Sequence, residues 1–337
     1  MAAKGTETRV YTIDDIAKEL GVSKTTVSRA ISGKGRLSAE TRAKVLAFIA
    51  EHNYRPNAVA KGLAQSKTYN LGLVLPGDYE DTELPFFQEC MAGICEVALE
   101  NDYDVLISMV TGSSTTQLER VINNHKADGV IVSRSTVNSP VVALLKETEM
   151  PFVVVGAPQD PEVLYVDNDN QGACRDLTTL LFGKGMRRLA LLGGDETHSV
   201  TGSRFRGYQE AHQLAGQPLQ KDLVFKNIST VRQAGAAVGE ALWQQVDRLI
   251  CMDDYICNLA LVRLRELALH IPQDIRMASF YDSNLLKNNN PPITSLRFDT
   301  KELGKMACQM LLDRMAGKET QNRTCSGYQI LLRDSTK

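Results

Sequence analysis

Cysteine in metal-binding or disulfide-forming spacing is missing from this sequence. Its seven cysteines, Cys90, Cys95, Cys174, Cys251, Cys257, Cys308 and Cys325, are scattered and odd in number, and no pair has C-x-x-C spacing. That pattern points to reduced, mostly buried thiols and away from a disulfide framework or a zinc site. Histidine is also scarce, with five residues that cluster neither with the cysteines nor with each other. No cofactor and no protein-built metal site are expected. No apolar run approaches the ~20 residues needed to span a bilayer, so no membrane partner is expected. The stretch Met1 to Val10 is polar and lacks the apolar core of a secretory signal, and the expected location is the cytoplasm. Three catalytic signatures are missing: the G-x-x-x-x-G-K-[ST] phosphate loop, the G-x-S-x-G elbow and the H-E-x-x-H zinc motif. Gly193-Gly194-Asp195 is a glycine turn without the rest of a dinucleotide fingerprint. No enzyme is expected.

What is present begins with an uneven charge. Residues 1–67 hold 12 Lys/Arg against 6 Asp/Glu, net +6, while the remainder of the 337 residues carries net −8. A basic head on an acidic body fits a polyanionic partner for the head alone.

Within the head, Thr12 is placed to N-cap a helix over Ile13–Leu20, with Asp14 and Asp15 in its positive first turn. Ile13, Ile16, Ala17 and Leu20 share one face. Gly21 stops the helix, and Ser23 caps a second over Lys24–Ile31, the spacing of a helix-turn-helix. In that second helix Val27, Ala30 and Ile31 point inward, whereas Lys24, Thr25, Ser28, Arg29 and Ser32 form a short, cationic face free of carboxylates. A helix entering the major groove needs such a face: donors and hydroxyls for base edges and phosphates, and nothing they repel. Gly33-Lys34-Gly35-Arg36 is a turn, and Ser38 caps a third helix over Ala39–His52 whose Val45, Leu46 and Ile49 are expected to close the core. The hydroxyls of Ser23, Thr26, Ser38 and Thr41 stand at or near helix starts, suited to capping and to phosphate oxygens. After Tyr54, the segment Arg55-Pro56-Asn57-Ala58-Val59-Ala60-Lys61-Gly62-Leu63-Ala64 is long enough for only about two helical turns. Nucleation is costly and Gly62 weakens it further, so it reads as a hinge that folds on binding, with Leu63 a wedge between base pairs.

Two linked motifs then carry a specific likeness: Ile13-x-Asp15-Ile-Ala17-x3-Gly21-Val-Ser23-x2-Thr26-Val-Ser28-Arg29, and Asn53-Tyr-Arg-Pro56-Asn57-x-Val59-Ala60-x-Gly-Leu63-Ala64. Together they resemble the lactose/galactose repressor family of transcription regulators. The resemblance implies a homodimer reading a pseudo-palindromic double-stranded operator, with hinge helices paired in the central minor groove and Leu63 opening the central step. It places Lys24, Thr25 and Arg29 at base-discriminating positions. Thr12, Ser32, Arg36, Asn57 and Ala60 join the expected DNA-contacting set.

Beyond residue 68, apolar strands alternate with helix-like segments. Strands are expected over Leu71–Leu75, Val105–Val110, Gly129–Ser133, Phe152–Val155, Leu189–Leu192, Leu249–Cys251 and Met277–Phe280, and helices near 86–101, 115–125, 138–148, 170–183, 204–215, 231–245, 256–268 and 301–316. Such alternation predicts parallel sheets covered on both faces, and a body of this length predicts two lobes with a ligand cleft between them. The expected class is α/β: a small all-α helix-turn-helix head and a two-lobed, parallel-sheet, periplasmic-binding-protein-like body. The expected boundaries are 1–54 for the head, 55–68 for the hinge and linker, and 69–337 for the effector-binding and dimerisation domain, with lobes at 69–167 plus 299–325 and 168–298 plus 326–337.

The same resemblance extends over the body through Pro85-Phe86-Phe87-x5-Gly93-Ile94, Ala127-Asp-Gly129, Val166-Asp167-Asn168, Arg204-x-x-Gly207-Tyr208, the return strand at Pro291-Pro-Ile-Thr-Ser-Leu296, and Gly304. It puts Arg204 at the family's effector-binding arginine, whose planar fork suits hydroxyls or a carboxylate. Phe86 and Phe87 are candidates for a ligand ring. Ser133, Arg134 and Ser135 follow a strand end, where a ligand loop belongs, and Arg134 suits an anionic group. Asp253 is a candidate acceptor for hydroxyls. The chain departs from the family at Asp253-Asp254, where Asn-Asp is usual, at Cys257 and Leu259, at Gly185-Met186-Arg187 where Gly-His-Arg is common, and at Tyr281, which replaces a frequent ligand-binding aspartate. The expected effector is a small molecule, a sugar or sugar derivative such as a sugar phosphate, and the departures remove the presumption of a standard monosaccharide. A regulator controlled by a protein partner, or by no ligand, is the alternative; a transport-type binding protein is disfavoured by the DNA-reading head.

Overall fold

A computed structural model describes residues 11–33, 35–52, 54, 62, 65–77, 85–325 and 327–337. The chain divides into two compact units, Met1–Thr68 and Tyr69–Lys337.

In the first unit, helices α1 (Ile13–Leu20), α2 (Lys24–Ser32) and α3 (Ala39–Glu51) enclose a core in which Ile16, Ala17, Val27, Ala30 and Val45 are buried. Thr12 and Asp15 form a reciprocal capping box: Thr12 Oγ1 accepts the Asp15 amide at 3.3 Å and Asp15 Oδ2 accepts the Thr12 amide at 2.9 Å. Gly21 ends α1 in the left-handed region at φ +64°, open to glycine without strain. Leu46 does not join the core as expected; it is 46% exposed. Phe48 takes its place, partly buried against the core, edge-on to Tyr11 at 5.4 Å and stacked on His52 at 4.0 Å. Positions 46 and 48 lie roughly 200° apart around an α-helix, and the face that meets the core carries Val45, Phe48 and Ile49. The hinge segment with Asn57, Ala60 and Leu63 lies outside the described residues.

The second unit holds two six-stranded sheets. The strands are β1 (Asn70–Pro76), β2 (Asp104–Val110), β3 (Gly129–Val132), β4 (Phe152–Val155), β5 (Tyr165–Asn168), β6 (Leu189–Leu192), β7 (Val224–Phe225), β8 (Arg248–Cys251), β9 (Arg276–Ser279), β10 (Thr294–Phe298), β11 (Arg323–Cys325) and β12 (Tyr328–Leu331). The sheet orders are β11-β5-β4-β3-β1-β2 and β12-β10-β9-β8-β6-β7. Every pairing is parallel except β10 with β12. The chain passes between sheets after β5, after β10 and between β11 and β12.

Helices α4 (Pro85–Glu100), α5 (Thr116–Asn123), α6 (Pro140–Glu147), α7 (Asn170–Gly183), α8 (Ser199–Leu214), α9 (Val231–Trp243), α10 (Asp254–Glu266), α11 (Asn284–Lys287) and α12 (Thr300–Met315) connect the strands. Strands β5, β7, β11 and β12 had no counterpart among the expected strands, because they are short or rich in polar residues. Helix α8 begins at Ser199, ahead of the expected residue 204. In each lobe one pair of helices crosses with backbones in contact. A Cβ on Gly304 of α12 would collide with the Cys90 carbonyl of α4, and one on Gly207 of α8 would collide with the Gln171 carbonyl of α7. Glycine at these crossings lets α8 lie against α7, and α8 delivers the side chains described next.

Candidate functional site

On the first unit, α2 turns Val27 and Ala30 inward and leaves Ser23, Lys24, Thr25, Ser28, Arg29 and Ser32 exposed. No acidic residue lies in its first turn. Ser23 Oγ accepts the Thr26 amide at 3.1 Å and Ser38 Oγ accepts the Thr41 amide at 3.1 Å. The paired hydroxyls, 2.9 Å apart at Ser23–Thr26 and 2.7 Å at Ser38–Thr41, therefore serve as caps. Lys24 is tied to Asp14 of α1 at 2.5 Å, an exposed pair worth under ~1 kcal/mol that a phosphate can outcompete. Arg29 lies along Gly35, where even a Cβ would crowd its stem at 3.2 Å. Thr12, Arg36 and Ser38 are exposed and Thr41 half-buried. This surface offers donors, hydroxyls and helix N-termini, the inventory that binds a phosphate backbone and reads base edges.

In the second unit the carboxyl ends of strands from both sheets converge on a cavity of about 160 Å³. That is far more than the ~10–15 Å³ one water needs. All seven body residues expected from sequence, Phe86, Phe87, Ser133, Arg134, Arg204, Asp253 and Tyr281, line it. So does Ser135 of the expected ligand loop, and so do Asp167, Asn168, Asn170, His198 and Asp254, which the sequence reading did not single out as ligand groups.

Arg204 is 7% exposed, well inside the body. It donates from Nη1 to the Met252 carbonyl at 2.7 Å and from Nε to Asn170 Oδ1 at 3.3 Å, and its guanidinium lies 5.8 Å from the Tyr281 ring centre. Asn170 in turn donates to Asp167 Oδ1 at 3.0 Å, so a fixed chain of bonds sets the arginine's orientation. Tyr281, at the end of β9, bonds Thr300 Oγ1 at 3.2 Å and meets Phe86 edge-on at 6.2 Å. The neighbouring Asp282 does not serve the cavity: Arg333 grips it through Nη1 at 2.6 Å and Nη2 at 2.9 Å, and Ser295 Oγ donates to it at 2.6 Å. Arg134 stands 5.5 Å from the Phe87 ring centre.

Asp253 caps α10, its Oδ1 accepting the Ile256 amide at 2.8 Å, and burial pushes its carboxyl pKa up. Burial, with the adjacent Asp253 charge second, holds Asp254 up at about 6. Burial also raises Asp167. Along one rim, the loop after β3 pairs with the start of α8. Thr136 and His198 form an antiparallel bridge, the Val137 amide donates to the Thr197 carbonyl at 2.8 Å, and the Ser199 amide donates to the Ser135 carbonyl at 3.1 Å.

The two units thus define a class of protein: a helix-turn-helix DNA reader joined to a two-lobed, ligand-cavity body. Residues 12–57 match bacterial regulatory proteins of the lacI family, and residues 178–336 match a periplasmic binding protein-like domain. The chain is 32% identical over 319 residues to the HTH-type transcriptional regulator MalR of Staphylococcus xylosus, covering 93% of this chain and 94% of that one. It is 30% identical to the HTH-type transcriptional regulator CelR of Thermobifida fusca, covering 92% and 93%. Among solved structures, a transcriptional regulator CelR–cellobiose complex superposes with a TM-score of 0.72 at 29% identity over 96% of this chain and 99% of that one. The lac repressor dimer bound to operator shares the fold, with a TM-score of 0.80 at 22% identity over 97% and 99%. This chain belongs to the lacI family of DNA-binding transcriptional regulators. Among the described residues no helix is long and apolar enough to cross a membrane.

Proposed function

We propose that this protein is a cytoplasmic transcriptional repressor that binds a pseudo-palindromic operator as a homodimer and is modulated by a small molecule held in the body cavity. In this reading Lys24, Thr25 and Arg29 contact base edges. Thr12, Ser23, Thr26, Ser28, Ser32, Arg36, Ser38 and Thr41 hold the phosphate backbone, and Asn57, Ala60 and Leu63 engage the minor groove. Phe86, Phe87, Ser133, Arg134, Arg204, Asp253 and Tyr281 receive the effector, which the protein binds without chemical turnover. The observation that carries the reading is the exposed face of α2, which has hydroxyls and cations but no carboxylate, on a chain whose other unit encloses a polar cavity. The relative solved with cellobiose supports a saccharide-like effector, and the lac repressor dimer solved on operator supports the paired head.

Closure of the cleft by ligand shifts the balance between forms that differ in operator affinity. Selection of bound duplexes from random DNA by the full chain tests the reading. Recovery of a two-fold-related consensus, with affinity falling steeply as salt rises, is the expected outcome. Recovery of no preferred sequence at moderate salt overturns it.

A further inference from the structure

The hydroxyls of the cavity wall and two positions of its buried arginine are already spent on protein groups. Ser133 Oγ donates to the Val74 carbonyl at 2.7 Å, Ser135 Oγ pairs with Ser199 Oγ at 2.9 Å, and the Tyr281 hydroxyl pairs with Thr300. Arg204 spends Nη1 and Nε on protein groups. The acceptors are in the opposite condition. Asn168 is 6% exposed and lines the cavity, yet its Oδ1 has no hydrogen-bond partner among the described residues. A buried acceptor left unmatched has lost its water without replacement, and a ligand donor recovers that loss. Asp253 Oδ1 accepts the Ile256 amide at the start of α10, and Asp254 lies buried beside it.

Charge is unbalanced in the same direction. Asp167, Asp253 and Asp254 all line the space together with Arg204, Arg134 and His198; Arg204 is buried and acts on all three carboxyls, whereas Arg134 and His198 are only partly buried. Asp253 and Asp254 are adjacent in sequence and repel each other. A neutral polyol would satisfy hydrogen bonds there but leave the repulsion in place. A cation removes both deficits, because charged N–H donors to carboxylates are about twice as strong as neutral ones. Phe86 and Tyr281 supply an apolar wall for the face of a ring.

Resting on the reading of this cavity as the effector site, we propose that its ligand is a cationic, donor-rich small molecule: a polyhydroxylated amine of the amino-sugar class, with its ammonium group at Asp253 and Asp254 and a donor to Asn168 Oδ1. Sites built to hold specific donors reject close analogues that lack them.

Calorimetric titration of the full chain with matched pairs tests this: D-glucosamine against D-glucose, and D-galactosamine against D-galactose. The Asp253→Asn variant is titrated in parallel; it retains an N-cap acceptor and so keeps α10 intact, which its unchanged melting curve verifies. An amine that binds at least tenfold tighter than its hydroxyl partner, and that loses about tenfold in Asp253→Asn, is the expected result. A hydroxyl partner that binds equally well overturns the inference, as does an amine whose affinity is unmoved by Asp253→Asn. Binding of cellobiose or maltose instead of either amine overturns it while leaving the regulatory reading standing. Silence from every compound also overturns it, and the DNA selection above then judges the regulatory reading by itself.

Discussion

The head and the body are stabilised over different distances along the chain. In the head, the side-chain bonds at the helix starts join residues three apart: Thr12 with Asp15, Ser23 with Thr26, Ser38 with Thr41. The body has such local caps too, as at Asp253 and Thr230, but adds remote ties. Asp282 is held by Arg333, Tyr328 Oη donates to Asp176 at 2.6 Å across 152 residues, and Glu96 is paired with Lys301 and Lys305. Among the described residues the cores differ in the same sense, with five buried apolar residues in the head's core against several dozen in the body's. Local contacts form quickly and cost little chain entropy, whereas remote ones must overcome loop closure before they contribute. A small core with local caps makes a marginal domain in which each buried side chain matters. The body tolerates more, except where a charge is buried.

That exception gives the largest expected effect. Arg333→Met leaves the Asp282 carboxylate, 10% exposed, without its partner, and should cost the body about 3–5 kcal/mol; chemical denaturation measures it. Equal truncations in the two units come next. Ile16→Ala and Leu191→Ala, both at fully buried positions, should each cost about 2–5 kcal/mol. In the head that loss should abolish operator binding at 25 °C while the body's unfolding transition stays in place, and in the body it should lower the melting temperature with operator binding retained. Loss of operator binding from both variants alike would erase the contrast.

Acidity sharpens it from the body's side. The Asp254 pKa is raised to about 6, above its unfolded value near 4, so between those values the folded state retains a proton that the unfolded state has lost. The body should therefore gain stability as pH falls from 7 towards 5, by about 1 kcal/mol for this group. Asp254→Asn should flatten that slope in denaturation curves at pH 7 and pH 5. The smallest effect is local. Ser38→Ala removes the acceptor for the Thr41 amide and should lower head stability by about 1 kcal/mol, read as a shift in the helical signal of the isolated N-terminal transition.

Much of the fold was legible because the head obeys local rules and the central body strands are continuous apolar runs. Thr12, Gly21, Ser23 and Ser38 each mark a helix boundary found in the structure. Strands such as Tyr165–Asn168 were hidden, since Asp167 and Asn168 are polar and their burial depends on partners far away in sequence. Arg204 was reachable through its motif; Asn168 and Asp254 also stood within quoted motifs, but nothing in the sequence marked their side chains as facing a cavity. Periodicity reports where apolar side chains go and is silent about polar ones that become enclosed when two lobes meet. Leu46 failed for a different reason: α3 presents Leu46 and Phe48 two positions apart, and composition does not say which one the neighbouring helices cover.

The order in which the sheets are threaded bears on how the chain is made. The first sheet starts with β1 near residue 70, but its edge strand β11 and the covering helix α12 come from residues 300–325. Leu303, Ala307, Cys308 and Leu311 of that helix lie fully buried among residues of β1, β3, β4 and α4. During translation, the DNA-reading unit has all its helices once some five dozen residues clear the ribosome. The first lobe must instead wait, with an apolar surface uncovered, until nearly the whole protein has been synthesised. Nascent-chain chaperones should therefore engage the growing polypeptide mainly over that long interval, and truncation before α12 should yield aggregates rather than a smaller working lobe.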